Sequence, residues 1–298
     1  MVRTVPRAAG IERRARTMLT SNAIGIYEKA LPSFSHWREA VDIARRCGYD
    51  FIEMSIDEND DRIARLWWSP SEVRAVRNAI ADSGFPIRTL CLSGHRKVPF
   101  ASEDRSTRER AWEMMERAMA LCVELGIRLI QTPGHDVYYE PSTPATWDRY
   151  LEGLLRVCEL AEAASVTVAV ENADVDRVGS PDAAMELVRH CDSPWFHIYP
   201  DFGNTVAHGF DIREQFTRAR HHIVAVHVKD ARRNEFRRVP FGEGIVPFSD
   251  AFRTLADIGY RGPMVVEMWN ESAVDPEAVI RDAREWIRRR IEESTATS

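Results

Sequence analysis

The sequence has no cysteine pair at CxxC spacing. Its five cysteines, Cys47, Cys91, Cys122, Cys158 and Cys191, are odd in number and scattered. That distribution excludes a disulfide-stapled scaffold and points to free thiols in a reducing, cytoplasmic setting. No apolar stretch approaches the roughly 18 residues of a membrane span, so no membrane partner is expected. Basic charge is not in excess either. A net charge of -6 and a pI of about 5.9 argue against nucleic acid as the main partner, because a polyanion needs a basic face. Nor does a glycine-rich turn follow the first apolar run: Tyr27-Glu28-Lys29 stands where an open dinucleotide-binding sheet would carry one.

Residues 1–20 lack balance. Arg3, Arg7, Arg13, Arg14 and Arg16 face one acid, Glu12, and no apolar segment follows them, so a secretory signal is not expected. They read as a basic tail, with Met18 as an alternative start and an organelle transit peptide as the other compositional option. Residues 21–293 show no linker or composition break and read as one domain, leaving 294–298 as a short C-terminal tail.

Within that domain, short β-branched runs recur with amphipathic segments between them. Eight strands are expected at 23–27, 50–56, 86–93, 128–133, 166–172, 196–202, 224–230 and 262–268. Helices are expected near 36–47, 69–83, 104–125, 143–164, 180–191, 210–220, 248–258 and 275–293. Ser69-Pro70 and Ser180-Pro181 supply N-caps with proline at the first helical position. Cys47-Gly48, Ser83-Gly84, Leu125-Gly126 and Ile258-Gly259 mark helix ends just before strands. Eight β-then-α units predict an α/β fold, a (β/α)8 TIM barrel, with its site at the C-terminal strand ends.

Four consecutive strands end in a metal-binding type of residue: Glu171, Asp201, His227 and Glu267, spaced by 30, 26 and 40 residues. A lone glutamate at a strand end more often caps a helix or pairs with arginine. Four at equivalent positions favour a shared centre, and His227 lies in a valine-alanine run where an unpaired imidazole is costly. Three carboxylates and one imidazole suit one divalent ion such as Mn²⁺, Mg²⁺, Co²⁺ or Zn²⁺. Such an ion would polarise a carbonyl, and Glu171 and Glu267 are placed to move protons on opposite faces of one carbon. Return of the proton to the same carbon gives epimerisation; return to its neighbour gives aldose-ketose isomerisation. The residues by themselves leave both open.

Several stretches carry a resemblance: Gly25-Ile26-Tyr27-Glu28-Lys29-Ala30-Leu31-Pro32, Phe51-Ile52-Glu53-Met54-Ser55, His95-Arg96 with Pro99-Phe100, Asp136-Val137-Tyr138-Tyr139-Glu140, Ser193-Pro194-Trp195-Phe196, Tyr199-Pro200-Asp201, His227-Val228-Lys229-Asp230, Val239-Pro240-Phe241-Gly242-Glu243-Gly244 and Val266-Glu267-Met268-Trp269. Across roughly 23–290 the chain resembles the xylose-isomerase-like barrels, and within them the L-ribulose-5-phosphate (L-xylulose-5-phosphate) 3-epimerases. The resemblance implies that Glu171, Asp201, His227 and Glu267 hold the metal and that Glu171 and Glu267 double as the acid-base pair. A phosphorylated ketopentose then needs an anion site, for which His95, Arg96, Lys97, Lys229 and Arg237 are candidates. Glu53 and Asn204 are candidates for sugar hydroxyls, although related free-ketohexose epimerases carry a histidine at the place of Asn204. The connection from Asp230 to Val239 is shorter than in close relatives.

The alternatives are an epimerase or isomerase of an unphosphorylated sugar, a metal-dependent abasic-site endonuclease, and a non-catalytic sugar-binding barrel. By analogy a homodimer is expected.

Overall fold

The computed structural model describes residues 19–270 and 273–296. Its frame is a ring of eight parallel strands: β1 Ile24–Tyr27, β2 Phe51–Ser55, β3 Ile87–Cys91, β4 Leu129–Pro133, β5 Thr167–Glu171, β6 Phe196–Ile198, β7 Val226–Val228 and β10 Met264–Val266. The hydrogen-bonded order is β6-β5-β4-β3-β2-β1-β10-β7. Parallel bridges Ile198–Ile223 and Asp201–His227 join the two ends and close the barrel. Every expected strand is present.

Helices return the chain between strands. They are α1 Trp37–Arg46, α2 Asp60–Ala64, α3 Pro70–Ser83, α4 Arg105–Leu125, α5 Pro144–Ala164, α6 Pro181–Cys191, α7 Phe202–Ala207, α8 Ile212–Ala219, α9 Phe248–Asp257 and α10 Pro276–Ala296. Ser69 and Glu72 form a reciprocal capping box at the start of α3, and Gly84 and Gly126 end α3 and α4 in the left-handed region. None of the described helices is long and apolar enough to cross a membrane.

The alternation of strand side chains makes two cores. Ile24, Ile26, Ile52, Met54, Val168, Val170, Val226 and Val266 point outward into the layer beneath the helices. Tyr27, Phe51, Cys91, Leu129, Ala169, Tyr199, Ala225 and Val265 fill the barrel. Size is matched across this interior: a Cβ on Gly25 would lie 2.3 Å from the Phe51 ring, so only glycine leaves room for that phenyl group. The inward set continues upward to Glu53, Gln131, Glu171, Asp201, His227, Lys229 and Glu267.

Three details differ from the sequence expectation. Strand β6 stops at Ile198, and α7 begins at Phe202 with Asp201 as its N-cap. A hairpin, β8 Asp230–Arg232 and β9 Glu235–Val239, stands on the rim. Its strands are short and charged, so they lack the apolar alternation that identifies a strand, and Asn234 turns the chain at φ 60°. At the termini, Leu19 is buried in the core although it falls in the expected tail, and α10 runs on to Ala296. The remainder of the basic segment, 1–18, lies outside the described residues.

Candidate metal centre and active site

Four strand ends bring Glu171, Asp201, His227 and Glu267 together, each offering one ligand atom within 4.8 Å of the others. His227 Nδ1 lies 2.7 Å from Glu171 Oε1 and 3.5 Å from Glu267 Oε2. Lys229, two residues beyond His227 on the same strand face, sets its Nζ 3.0 Å from Glu267 Oε2 and 3.4 Å from Asp201 Oδ2. Gln131 Nε2 donates to Glu171 Oε2 at 2.7 Å and fixes that carboxylate from the side of β4. Asp201 is held through its backbone, which donates to Asn172 Oδ1, and its own Oδ1 accepts from the Asn204 amide.

The electrostatics of this cluster fit a divalent cation. Burial, with Glu267 and Glu171 close by, pushes the Asp201 carboxyl up to about 8, against the pull of Lys229. Burial also works to raise Glu267, but the Lys229 and His227 charges outweigh it and hold this carboxyl down near 2. Burial alone would neutralise His227; Glu53, Glu171 and Glu267 overcome it and raise the imidazole well above its ordinary value. Three carboxylates packed this closely cannot all ionise cheaply without added positive charge. Asp201 Oδ2 and Glu267 Oε2 are buried oxygens without a well-aligned hydrogen-bond donor, as ligand atoms are before coordination. Hard oxygen donors plus one imidazole are the donor set for such an ion.

Above the cluster is a polar cavity. Glu171 and Glu267 both line it, together with Tyr27, Ser93, Trp269, the cations Lys29, Arg96, Arg237 and Arg238, and two further acids, Asp57 and Glu58. Arg96 and Arg237 share one carboxylate, Asp174, with Arg96 3.7 Å from Oδ1. Burial works against the Asp174 charge, and the two guanidinium groups more than compensate, lowering its value. Larger clefts lie elsewhere, one of about 530 Å³ between the start of α1 and α3 and one of about 430 Å³ lined by Glu28 to Phe34 with Arg62 and Arg65, and neither gathers a comparable ligand cluster.

The structure separates the residues the sequence had grouped. Arg96 and Arg237 stand on the cavity wall. Glu53 does not border the cavity: it is fully buried, with one oxygen on His227 and the other on Thr89 and Tyr199. His95 is buried, with Nδ1 against the Val98 carbonyl, and burial holds it down to about 4, so it is a neutral ring and no phosphate cation. Asn204 is buried and donates to the Asn172 carbonyl, away from the cavity lining. Lys229 belongs to the carboxylate cluster rather than to an anion site. Lys97 is surface-exposed and pairs with Asp60.

The sequence reading missed Gln131, Lys29, Arg238 and Asp174. Gln131 had a readable signal, a lone amide in the apolar run Leu129–Pro133. Lys29 sits in a single 3-10 turn after β1, Asp174 on a loop and Arg238 on the charged strand β9, none of which carries an apolar period.

A family model described as xylose isomerase-like TIM barrel matches residues 41–290. L-ribulose-5-phosphate 3-epimerase UlaE of Escherichia coli (strain SMS-3-5 / SECEC) is 43% identical over 268 residues, covering 90% of this chain and 94% of the relative. The chain belongs to the L-ribulose-5-phosphate 3-epimerase family of xylose isomerase-like barrels. It is accordingly an enzyme of the isomerase class.

Among solved structures, an L-ribulose 3-epimerase superposes with a TM-score of 0.75 at 22% identity, covering 92% of this chain and 95% of that one. The zinc-bound IOLI protein does so with a TM-score of 0.72 at 16% identity, covering 91% and 98%. At these identities the two structures bear on the fold alone.

Proposed function

We propose that this family member is a divalent-metal-dependent 3-epimerase that interconverts L-ribulose 5-phosphate and L-xylulose 5-phosphate. The observation that carries the reading is the placement of Glu171 and Glu267, two carboxylates on separate strands that line one cavity and share one metal-type cluster. Glu171, Asp201, His227 and Glu267 would hold the ion. When bound, the ion would polarise the ketose oxygens and offset negative charge developing on the sugar.

The protein's own groups do the rest. One of the two glutamates removes the C3 proton and the other delivers a proton to the opposite face. Gln131 fixes the Glu171 carboxylate through its amide, leaving Oε1 toward His227. Lys229 keeps Glu267 ionised and aligned. Arg96 and Arg237, which share the single carboxylate Asp174, present two guanidinium groups on the wall for a phosphate dianion, while Lys29 on the same wall is paired with Asp57. Trp269 gives the cavity an apolar side.

The test is proton exchange followed by NMR. Metal-loaded protein with L-ribulose 5-phosphate in D₂O should place deuterium at C3 and form L-xylulose 5-phosphate, and Glu171→Gln or Glu267→Gln should abolish both. Absence of exchange with metal bound would reject the substrate. Equal exchange with the unphosphorylated ketose would replace the phosphate half of the reading.

A further inference from the structure

Glu53 is a carboxylate at the centre of the barrel with no exposure to solvent. A buried carboxylate is costly unless its oxygens are met by donors. All the donors here converge from other strands. His227 Nε2 lies 2.7 Å from Oε1, Thr89 Oγ1 donates to Oε2 at 2.7 Å, and the Tyr199 hydroxyl donates to the same oxygen at 2.8 Å. The Tyr199 ring packs beside the imidazole, with centroids 4.5 Å apart. The carboxylate is clamped by its neighbours and in turn clamps one edge of the His227 ring.

The opposite edge of that ring faces the cluster. His227 Nδ1 is the nitrogen directed at Glu171 Oε1 and Glu267 Oε2. A neutral imidazole carries one N–H and one lone pair, and the hydrogen bond made by one nitrogen decides which is which. Without a cation both nitrogens donate, Nδ1 to Glu171 and Nε2 to Glu53; when a bound cation takes the place of the Nδ1 proton, Nε2 stays committed to Glu53 and the lone pair falls on Nδ1.

We propose that Glu53 is a positioning residue for the metal: it fixes the His227 ring so that Nδ1 is the ligand atom, and its charge strengthens that nitrogen as a donor. This rests on the metal reading above but not on the identity of the sugar. A carboxylate behind a ligating histidine commonly changes metal affinity by 10–100-fold when removed. A contact to sugar hydroxyls is not available to Glu53, because no part of it borders the cavity.

The test uses the full-length chain without any sugar. Mn²⁺ dissociation constants are measured by chelator competition for the parent and for Glu53→Gln, which keeps shape and an acceptor oxygen but removes the charge. The visible spectrum of the Co²⁺-loaded forms is recorded alongside. The expected result is affinity weakened about 10–100-fold, with shifted Co²⁺ bands and an unchanged circular dichroism spectrum.

A folded Glu53→Gln protein with affinity within about twofold of the parent and an identical Co²⁺ spectrum would overturn the assignment. If Glu53→Gln does not fold, Tyr199→Phe and Thr89→Val decide. Each loosens the clamp and leaves the charge, so each should weaken Mn²⁺ severalfold, and unchanged affinity in both would overturn it. A parent that binds no divalent ion would sink this inference together with the metal reading. A parent that binds metal but does not epimerise the ketopentose phosphate would remove the substrate reading only, since the outcome here is read from affinity and spectrum.

Discussion

Lowering the pH should destabilise the wall of the active site through a histidine that takes no part in it. His135 follows β4, is buried, and neither ring nitrogen has a hydrogen-bond partner among the described residues. Burial, with the Arg96 charge adding to it, holds its value down to about 3. An unfolded histidine titrates near 6.5. The folded state therefore favours the neutral ring. The stability this represents is complete above pH 6.5 and is lost as the pH falls toward the folded value. Between pH 6.5 and 5 the unfolded chain binds one proton that the folded chain does not, a loss of about 2 kcal/mol at this site. His95, held to about 4 for the same reason, adds a similar amount.

His135→Phe isolates the effect. The phenyl ring keeps the tilted contact with Tyr138, whose centroid lies 5.3 Å away, and gives up no hydrogen bond. Urea denaturation at pH 8 should find the variant equal to the parent or more stable. At pH 5 its advantage should have grown by about 2 kcal/mol. An advantage that does not change between the two pH values would refute the reasoning.

Three further outcomes follow from the same geometry. Arg96→Ala or Arg237→Ala should raise KM for the phosphorylated ketose at least about tenfold, the effect of losing one charge-assisted contact, whereas Lys97→Ala should not. Steady-state kinetics on the three variants checks this, and three equal KM values would remove the phosphate from this wall. Ser165 caps α5 with φ 53°, so Ser165→Gly should stabilise the fold by roughly 0.5–1 kcal/mol, read from thermal denaturation, and a loss of stability would contradict the strain argument. Chelation of the metal should lower stability by about 2.7 kcal/mol relative to protein held at 100 times the dissociation constant. An unfolding temperature that ignores both metal and chelator would argue against a cation in the cluster.

The barrel itself was legible in the chain because its signals are local. Val166 to Val170 and Val224 to Val226 are β-branched runs too short for helices, and Gly84 and Gly126 sit where helices must turn left-handed. The convergence of the four candidate ligands was legible for a related reason. In a parallel barrel equivalent strand ends meet, so spacing along the chain maps directly onto Glu171, Asp201, His227 and Glu267 around one rim. What the linear pattern could not decide was depth.

Glu53, Asn204 and Lys229 occupy inward or rim positions in sequence and seemed free to touch substrate. Only the closed barrel shows that Glu53 lies behind His227, that Asn204 is bonded to the Asn172 carbonyl, and that Lys229 is drawn into the carboxylates by their charge. The rim was hidden for a different reason. The hairpin of β8 and β9 is local but lacks apolar alternation, and the pairing of Arg96 and Arg237 across Asp174 joins residues far apart in the chain through charge, which has no period to read. Strand identity and ligand type are properties of short stretches, and the sequence determines them alone. Which side chain faces a cation, a sugar or another side chain depends on what the other strands place opposite it, and the tertiary structure alone decides that.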